Sequence, residues 1–157
     1  MNSTVYLETS IVGYLASRPS RDLITAANQQ LTREWWDAHR ERYELYVSET
    51  VIAECSAGDS TAAQERLEAI RDIPILDVTE AAETLASELI KRIPLPKNAE
   101  VDALHIAVAA VNGIEYLLTW NCTHIANASF QSRIEMICRS AGLEPPTICT
   151  PQQLMED

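Results

Sequence analysis

The sequence predicts a single α/β domain, residues 1–157, built on a mostly parallel sheet of four to five strands. Three observations carry that expectation. Short apolar runs of strand length alternate with longer segments of helical periodicity, the βα rhythm of an α/β domain. The 157 residues suffice to bury about 68–70% of the surface the unfolded chain exposes, one domain's worth. Hydrophobic residues at 46% and charged residues at 22% are ordinary for a globular domain, and no repeat, low-complexity tract or long linker divides the chain.

The elements follow in order. Val5 to Leu7 reads as a buried strand closed by Glu8, and Thr9 and Ser10 offer N-caps for a helix through Ile11, Tyr14 and Leu15. Asp22 to Arg42 has a long helical pattern, with Leu23, Ala26, Ala27, Leu31, Trp35 and Ala38 expected on one apolar face. Leu45 to Val47 is a second strand, and Glu49 to Ser56 opens the next helix. Thr61 with Gln64 predicts a capping box for a helix to Arg71. Ile73 to Val78 is a third strand, Thr79 caps a helix to Arg92, and Pro94 and Pro96 break the chain. A helix from Glu100 to Asn112 stops at Gly113 and hands over to a fourth strand, Glu115 to Thr119. Phe130 to Ala141 is a final helix ended by Gly142, and Thr147 to Thr150 is the candidate fifth strand.

The net charge of −11 suits a basic protein partner and is unusual for a nucleic-acid enzyme, whose affinity rests on Lys and Arg. Charge is therefore read locally. Lys91, Arg92 and Lys97 precede Asp102, and Arg18 and Arg21 follow Glu8; the bland account is a helix C-terminus complemented by Lys91 and Arg92, the rest being solvated. No run is long and apolar enough to cross a bilayer, and Met1 to Glu8 lacks the form of a secretory signal, so a cytoplasmic protein is expected. Cys55, Cys122, Cys138 and Cys149 form no C-x-x-C pair, which argues against structural zinc and a disulfide framework and for buried free thiols. The four glycines build no G-x-G-x-x-G loop, which disfavours a dinucleotide-binding enzyme. A haloacid-type phosphatase would need an Asp nucleophile where Glu8 stands.

Open α/β sheets bind ligands beyond the carboxyl ends of their strands, and polar residues cluster at those ends. Glu8 closes the first strand and Asn121 lies just past the fourth; Glu54 sits on the helix leaving the second strand, and Asp102 in the first turn of the helix entering the fourth. Helical spacing aligns Asp102 with His105 and Ile106 and turns Glu100 away. Carboxylates gathered in one place repel unless a cation neutralises them, which points to metal-dependent phosphate chemistry. The bland readings are a helix-dipole role for Asp102, a solvated helix position for Glu54 and a turn for Asn121; Glu8, ending an apolar strand, has the weakest such account. His105 and His124 match no helical His pair and are expected to pack, and Trp35, Trp36 and Trp120 are expected in the core or an interface.

These residues resemble the PIN domains, metal-dependent ribonucleases that include VapC-like toxins of bacterial and archaeal toxin–antitoxin pairs. The likeness covers nearly the whole chain and rests on Tyr6-Leu7-Glu8-Thr9-Ser10, on Ser48 to Glu54, and on Asp102-Ala103-Leu104-His105-Ile106-Ala107 leading through Gly113 to Leu117-Leu118-Thr119-Trp120-Asn121. It implies a three-layer α/β/α sandwich, hydrolysis of RNA phosphodiesters, a small antitoxin partner and a homodimer. The first acid of the family, usually Asp, is Glu8 here, and the fourth, often Asp, is Asn121. Glu8, Asp102 and Glu54 are the expected ligands of a Mg²⁺ or Mn²⁺ ion, with Asn121 completing the catalytic set and its missing charge weakening a second ion. Thr9, Ser10 and Thr119 serve either as caps and turn residues or as hydrogen-bond donors around the site. A different class of protein, a catalytically quiet PIN-fold binding or scaffold module, is the alternative that the Glu8 and Asn121 departures keep open.

Overall fold

The computed structural model describes residues 2–94 and 99–155. Five strands, β1 (Ser3–Leu7), β2 (Tyr43–Ser48), β3 (Ile75–Leu76), β4 (Tyr116–Leu118) and β5 (Thr147–Cys149), form one all-parallel sheet in the order β3-β2-β1-β4-β5. Seven α-helices connect them among the described residues: α1 (Thr9–Ala16), α2 (Leu23–His39), α3 (Glu49–Cys55), α4 (Ser60–Ala69), α5 (Glu80–Arg92), α6 (Glu100–Val111) and α7 (Ala128–Ser140). α1 packs on α2, α3 and α4, whereas α5 packs on α6 and α7. The two groups cover opposite faces, as right-handed crossovers require when the chain steps outward from β1 to β3 and then returns past β1 to β4. This is the expected three-layer α/β fold, with the sheet wholly parallel.

Parallel strands covered on both faces need near-continuous apolar sequence. Val5, Tyr6, Leu7, Leu117 and Leu118 are fully buried, and Ile11, Leu89, Ile106 and Ile137 press on them from the helices. β1 is central, and the strand order changes direction between β1 and β4, so a crevice opens at their carboxyl ends. There the backbone of Glu8 is still extended, and its N–H donates to Leu118 O at 3.1 Å, fixing Glu8 at the β1/β4 junction.

Local signals hold where the chemistry is local. Thr79 caps α5 by accepting from Ala82 N, Lys91 and Arg92 occupy its last turn, and Gly113 and Gly142 take the positive φ angles (66° and 78°) expected past α6 and α7. Other boundaries shift. Asp59, accepting from Ala62 N, caps α4 in place of the expected Thr61–Gln64 box, because Asp two residues upstream is a strong cap already in position. The third strand shrinks to two residues, since Pro74 can only accept at the edge, taking Val47 N at 3.0 Å. Of the proline break, Pro96 with Lys97 lies outside the described residues.

The largest correction concerns α2. Its buried residues are Gln29, Thr32 and Trp35, while Leu23 and Ile24 are 85% and 73% exposed and Ala27 and Ala38 are also exposed. Tertiary hydrogen bonding chose the inward face. Gln29 accepts from Ser20 N and donates to Ser17 Oγ and Arg18 O, satisfying the turn after α1, and Thr32 accepts from the Trp120 indole at 2.7 Å. Trp35 is fully buried, as expected, stacked on Tyr43, and Trp36 is half-buried beneath Arg40. Among the cysteines, Cys55, Cys138 and Cys149 are buried free thiols but Cys122 is exposed, because it lies in the turn that follows Asn121.

Candidate metal centre

Three chain segments converge on the crevice. β1 delivers Tyr6 and, two residues on and therefore on the same side of the strand, Glu8. β2 ends in Ser48, which caps α3 by accepting from Val51 N at 3.3 Å and so aims the helix that carries Glu54. α6 meets α3 across the end of the sheet and brings Asp102 and His105. Helical spacing puts those two on one side, with His105 completely buried and Asp102 partly so.

Glu8, 5% exposed, receives two hydroxyl hydrogen bonds at Oε1, from Ser10 at 2.5 Å and from Thr119 at 2.6 Å. Glu54 also receives two donors at Oε1, Thr9 Oγ1 at 2.5 Å and His105 Nε2 at 2.7 Å. Consecutive residues of the first turn of α1 thus hold two different glutamates, and α1 itself begins without a side-chain cap. The expected capping role of Thr9 and Ser10 is not the one they fill. Burial alone would raise the pKa of Glu54, yet the hydrogen bonds from His105 and Thr9 outweigh it and keep this carboxyl below its usual value.

One donor atom each from Glu8, Glu54 and His105 lie within 4.8 Å of one another. Two carboxylates so close, one of them buried, repel strongly. Among the described residues no Lys or Arg pairs with Glu8, Glu54 or Asp102, and no residue donates to Oε2 of either glutamate. Hard oxygen donors with uncompensated charge are the chemistry of a Mg²⁺ or Mn²⁺ site, and these residues fit such an ion.

Asp102 stands outside the close trio, in a second cluster. Its Oδ1 accepts from Asn121 Nδ2 at 3.2 Å, and its Oδ2 bonds His124 Nδ1 at 2.6 Å. Asn121 closes a turn as well, its Oδ1 accepting His124 N at 3.0 Å, which fixes the amide orientation because only Nδ2 can donate to the carboxylate. The clusters are linked: Asn121 N donates to Thr119 Oγ1 at 2.9 Å, and Thr119 donates to Glu8. Of the seven residues singled out in the sequence, Glu8, Ser10, Thr119, Asn121 and Asp102 form one hydrogen-bonded network, and Glu54 with Thr9 forms a second that meets it where Glu54 approaches Glu8. Both histidines, expected to pack, instead contact the acids, and Tyr6 and Ser48 enter behind His105; the signal for His105 was its three-residue offset from Asp102 on the inward side of α6.

The fold and this cluster define an α/β domain with an acidic crevice at the β1/β4 switch point, and the PIN domain family model matches residues 5–121, enclosing Glu8, Glu54, Asp102 and Asn121. The chain belongs to the PIN domain family. In structure it is similar to VapC20 of Mycobacterium tuberculosis, described as a sarcin-ricin-loop-cleaving toxin, with a TM-score of 0.61 and 19% identity over 80% of this chain and 95% of that one. It is also similar to VapBC2 from Rickettsia felis, solved bound to a DNA fragment from their promoter, with a TM-score of 0.56 and 15% identity over 94% of this chain and 98% of that one. No curated protein matches the chain. Among the described residues, no helix is long and apolar enough to cross a membrane.

Proposed function

We propose that this chain is a divalent-metal-dependent endoribonuclease that hydrolyses RNA phosphodiester bonds as the toxin of a type II toxin–antitoxin pair. One observation carries the reading: Glu8 and Glu54 approach within 4.8 Å and, among the described residues, neither pairs with a Lys or Arg and each has one oxygen without a protein donor. Glu8 and Glu54 would hold the ion, with Asp102 as the third acid of the set and Asn121 closing the site beside it. When bound, Mg²⁺ or Mn²⁺ supplies Lewis acidity at the scissile phosphate and lowers the pKa of the attacking water. Thr9, Ser10 and Thr119 keep the carboxylates in place through their hydroxyls, and the acids act as ligands, not as covalent nucleophiles.

The partner reading follows the likeness to the toxin structures and the charge. A net charge of −11 favours a basic, small antitoxin, and a homodimer in the cytoplasm is the form in which we expect the toxin to act. A quiet PIN-fold scaffold has one observation in its favour: both oxygens of Asp102 are engaged by Asn121 and His124. One assay separates the two. RNA cleavage that requires Mg²⁺ or Mn²⁺, stops with chelator and is lost in Asp102→Asn with unchanged circular dichroism supports the nuclease; cleavage that survives chelator, or none with either metal, overturns it.

A further inference from the structure

His105 sits in the trio as though it were a third ligand, but its hydrogen bonds assign it another task. The side chain is fully buried, and both ring nitrogens are engaged: Nε2 bonds Glu54 Oε1 at 2.7 Å and Nδ1 bonds the Tyr6 hydroxyl at 2.7 Å. The Tyr6 hydroxyl in turn bonds Ser48 Oγ at 2.7 Å, and Ser48 Oγ takes the Val51 amide at 3.3 Å. This chain begins at an obligate donor, a backbone N–H, and ends at an obligate acceptor, a carboxylate. The hydroxyl protons set its direction, since among the described residues Tyr6 is the only acceptor within reach of Ser48 Oγ–H, and His105 Nδ1 is then the only one left for the Tyr6 hydroxyl. Val51 N–H donates to Ser48, Ser48 to Tyr6, Tyr6 to Nδ1, and Nε2–H to Glu54. Reversing it would leave the Ser48 hydroxyl proton without an acceptor among the described residues. A ring nitrogen that carries a proton has no lone pair for a metal.

We infer that His105 is a positioning residue held by Tyr6 and Ser48 as the neutral Nε2–H tautomer, which fixes Glu54 through Oε1 and leaves Oε2 to face a divalent cation without itself becoming a ligand. The inference rests on the metal-site reading above and goes beyond it. It also gives the site its hardness: with the imidazole closed off, only oxygen donors remain, which favours Mg²⁺ and Mn²⁺ over ions that prefer nitrogen. A histidine oriented by a hydrogen-bonded hydroxyl and aimed at a ligating carboxylate belongs to the outer layer that tunes a metal site, where single losses weaken affinity roughly 10- to 100-fold.

The test uses ¹⁵N-histidine-labelled protein and long-range ¹H–¹⁵N spectra with and without Mg²⁺, alongside Mn²⁺ titration calorimetry. In the metal-free parent, His105 is expected to show a protonated Nε2 and an unprotonated Nδ1, and Mg²⁺ should leave that pattern in place. Tyr6→Phe should blur the pattern toward a tautomer mixture and weaken Mn²⁺ binding roughly tenfold. His105→Leu should weaken it 10- to 100-fold, whereas His105→Gln, whose amide can still donate to Glu54, should recover affinity to within about threefold of the parent. A protonated Nδ1 in the parent, a metal-induced loss of the Nε2 proton, or a Gln variant as weak as the Leu variant overturns the inference. The metal-free spectrum reads the tautomer whether or not any variant folds, and a parent that takes up neither ion with the tautomer intact would instead overturn the metal-site reading.

Discussion

Glu54 and Asp102 each accept a hydrogen bond from a histidine, yet the two halves of the crevice are built differently. Around Glu54 the supporting groups are buried and exhausted: His105 is inaccessible, both its nitrogens are engaged, and the chain behind it runs through Tyr6, whose phenol burial pushes well above its usual range, to the backbone. Around Asp102 they are open. The His124 side chain is 26% exposed, its Nδ1 serves the carboxylate, and among the described residues its Nε2 has no protein partner. The contrast lies in the donors: the His105 ring is fully buried whereas His124 is 26% exposed, so water can stand in for a lost His124 ring more readily than for a lost His105 ring. This holds even though Glu54 itself (37% exposed) is more open than Asp102 (17%). The buried, fully bonded support thus lies beside the close pair of glutamates, and the accessible imidazole lies beside Asp102.

The largest effect that would sharpen this contrast is at the glutamates. Glu8→Gln and Glu54→Gln should each lower RNA cleavage about 10²- to 10³-fold, the equivalent of the few kcal/mol a lost metal contact represents, measured in single-turnover assays. Asn121→Asp comes next. It removes the donor to Asp102 and sets a second carboxylate against it, so the metal-free protein should melt lower while Mn²⁺ binds about tenfold tighter; a titration unchanged from the parent would break the account of Asn121 as the weakening substitution. His124→Ala should cost Mn²⁺ affinity no more than about threefold, well short of His105→Leu, because Asp102 keeps Asn121 and gains water. Equal losses in the two histidine variants would erase the difference between the halves.

The smallest effect reads the same contrast without function. Cys55 adjoins Glu54, and burial pushes its thiol up to about 11 despite the opposing charge of Arg66; Cys138 is likewise near 11 and Cys149 near 12. Cys122, beside Asn121, is exposed. Iodoacetamide at neutral pH should add one label to the native protein, at Cys122, and four after unfolding, as counted by mass spectrometry. Labelling of Cys55 in the native state would mean that the Glu54 half opens readily.

What could be read from the sequence was local. Glu8 and Asn121 sit at the ends of short apolar runs, and an acid closing such a run has few roles other than a site; Thr79 and Gly113 announce helix ends by their own chemistry. What could not be read depends on distant partners. Tyr6 and His105 meet across 99 positions, and His105 and Glu54 across 51, because α3 and α6 converge over the end of the sheet. Gln29 and Thr32 are buried on α2 for the same kind of reason, since their hydrogen bonds to the turn after α1 and to Trp120 outweigh the apolar pattern of Leu23, Ala27 and Ala38. Spacing placed Asp102 and His105 on one side of α6, but the pairing of Glu54 with His105 and of Asp102 with His124 emerged only when the strands brought their ends together.

The most direct test is a Mn²⁺ titration of the purified chain beside the Glu8→Gln/Glu54→Gln double variant, followed by calorimetry. Saturable binding by the parent, displaced by Mg²⁺ and abolished in a double variant that still melts cooperatively, is the predicted result. Binding of equal strength in both proteins would mean that the two glutamates at the β1/β4 crevice do not hold the ion.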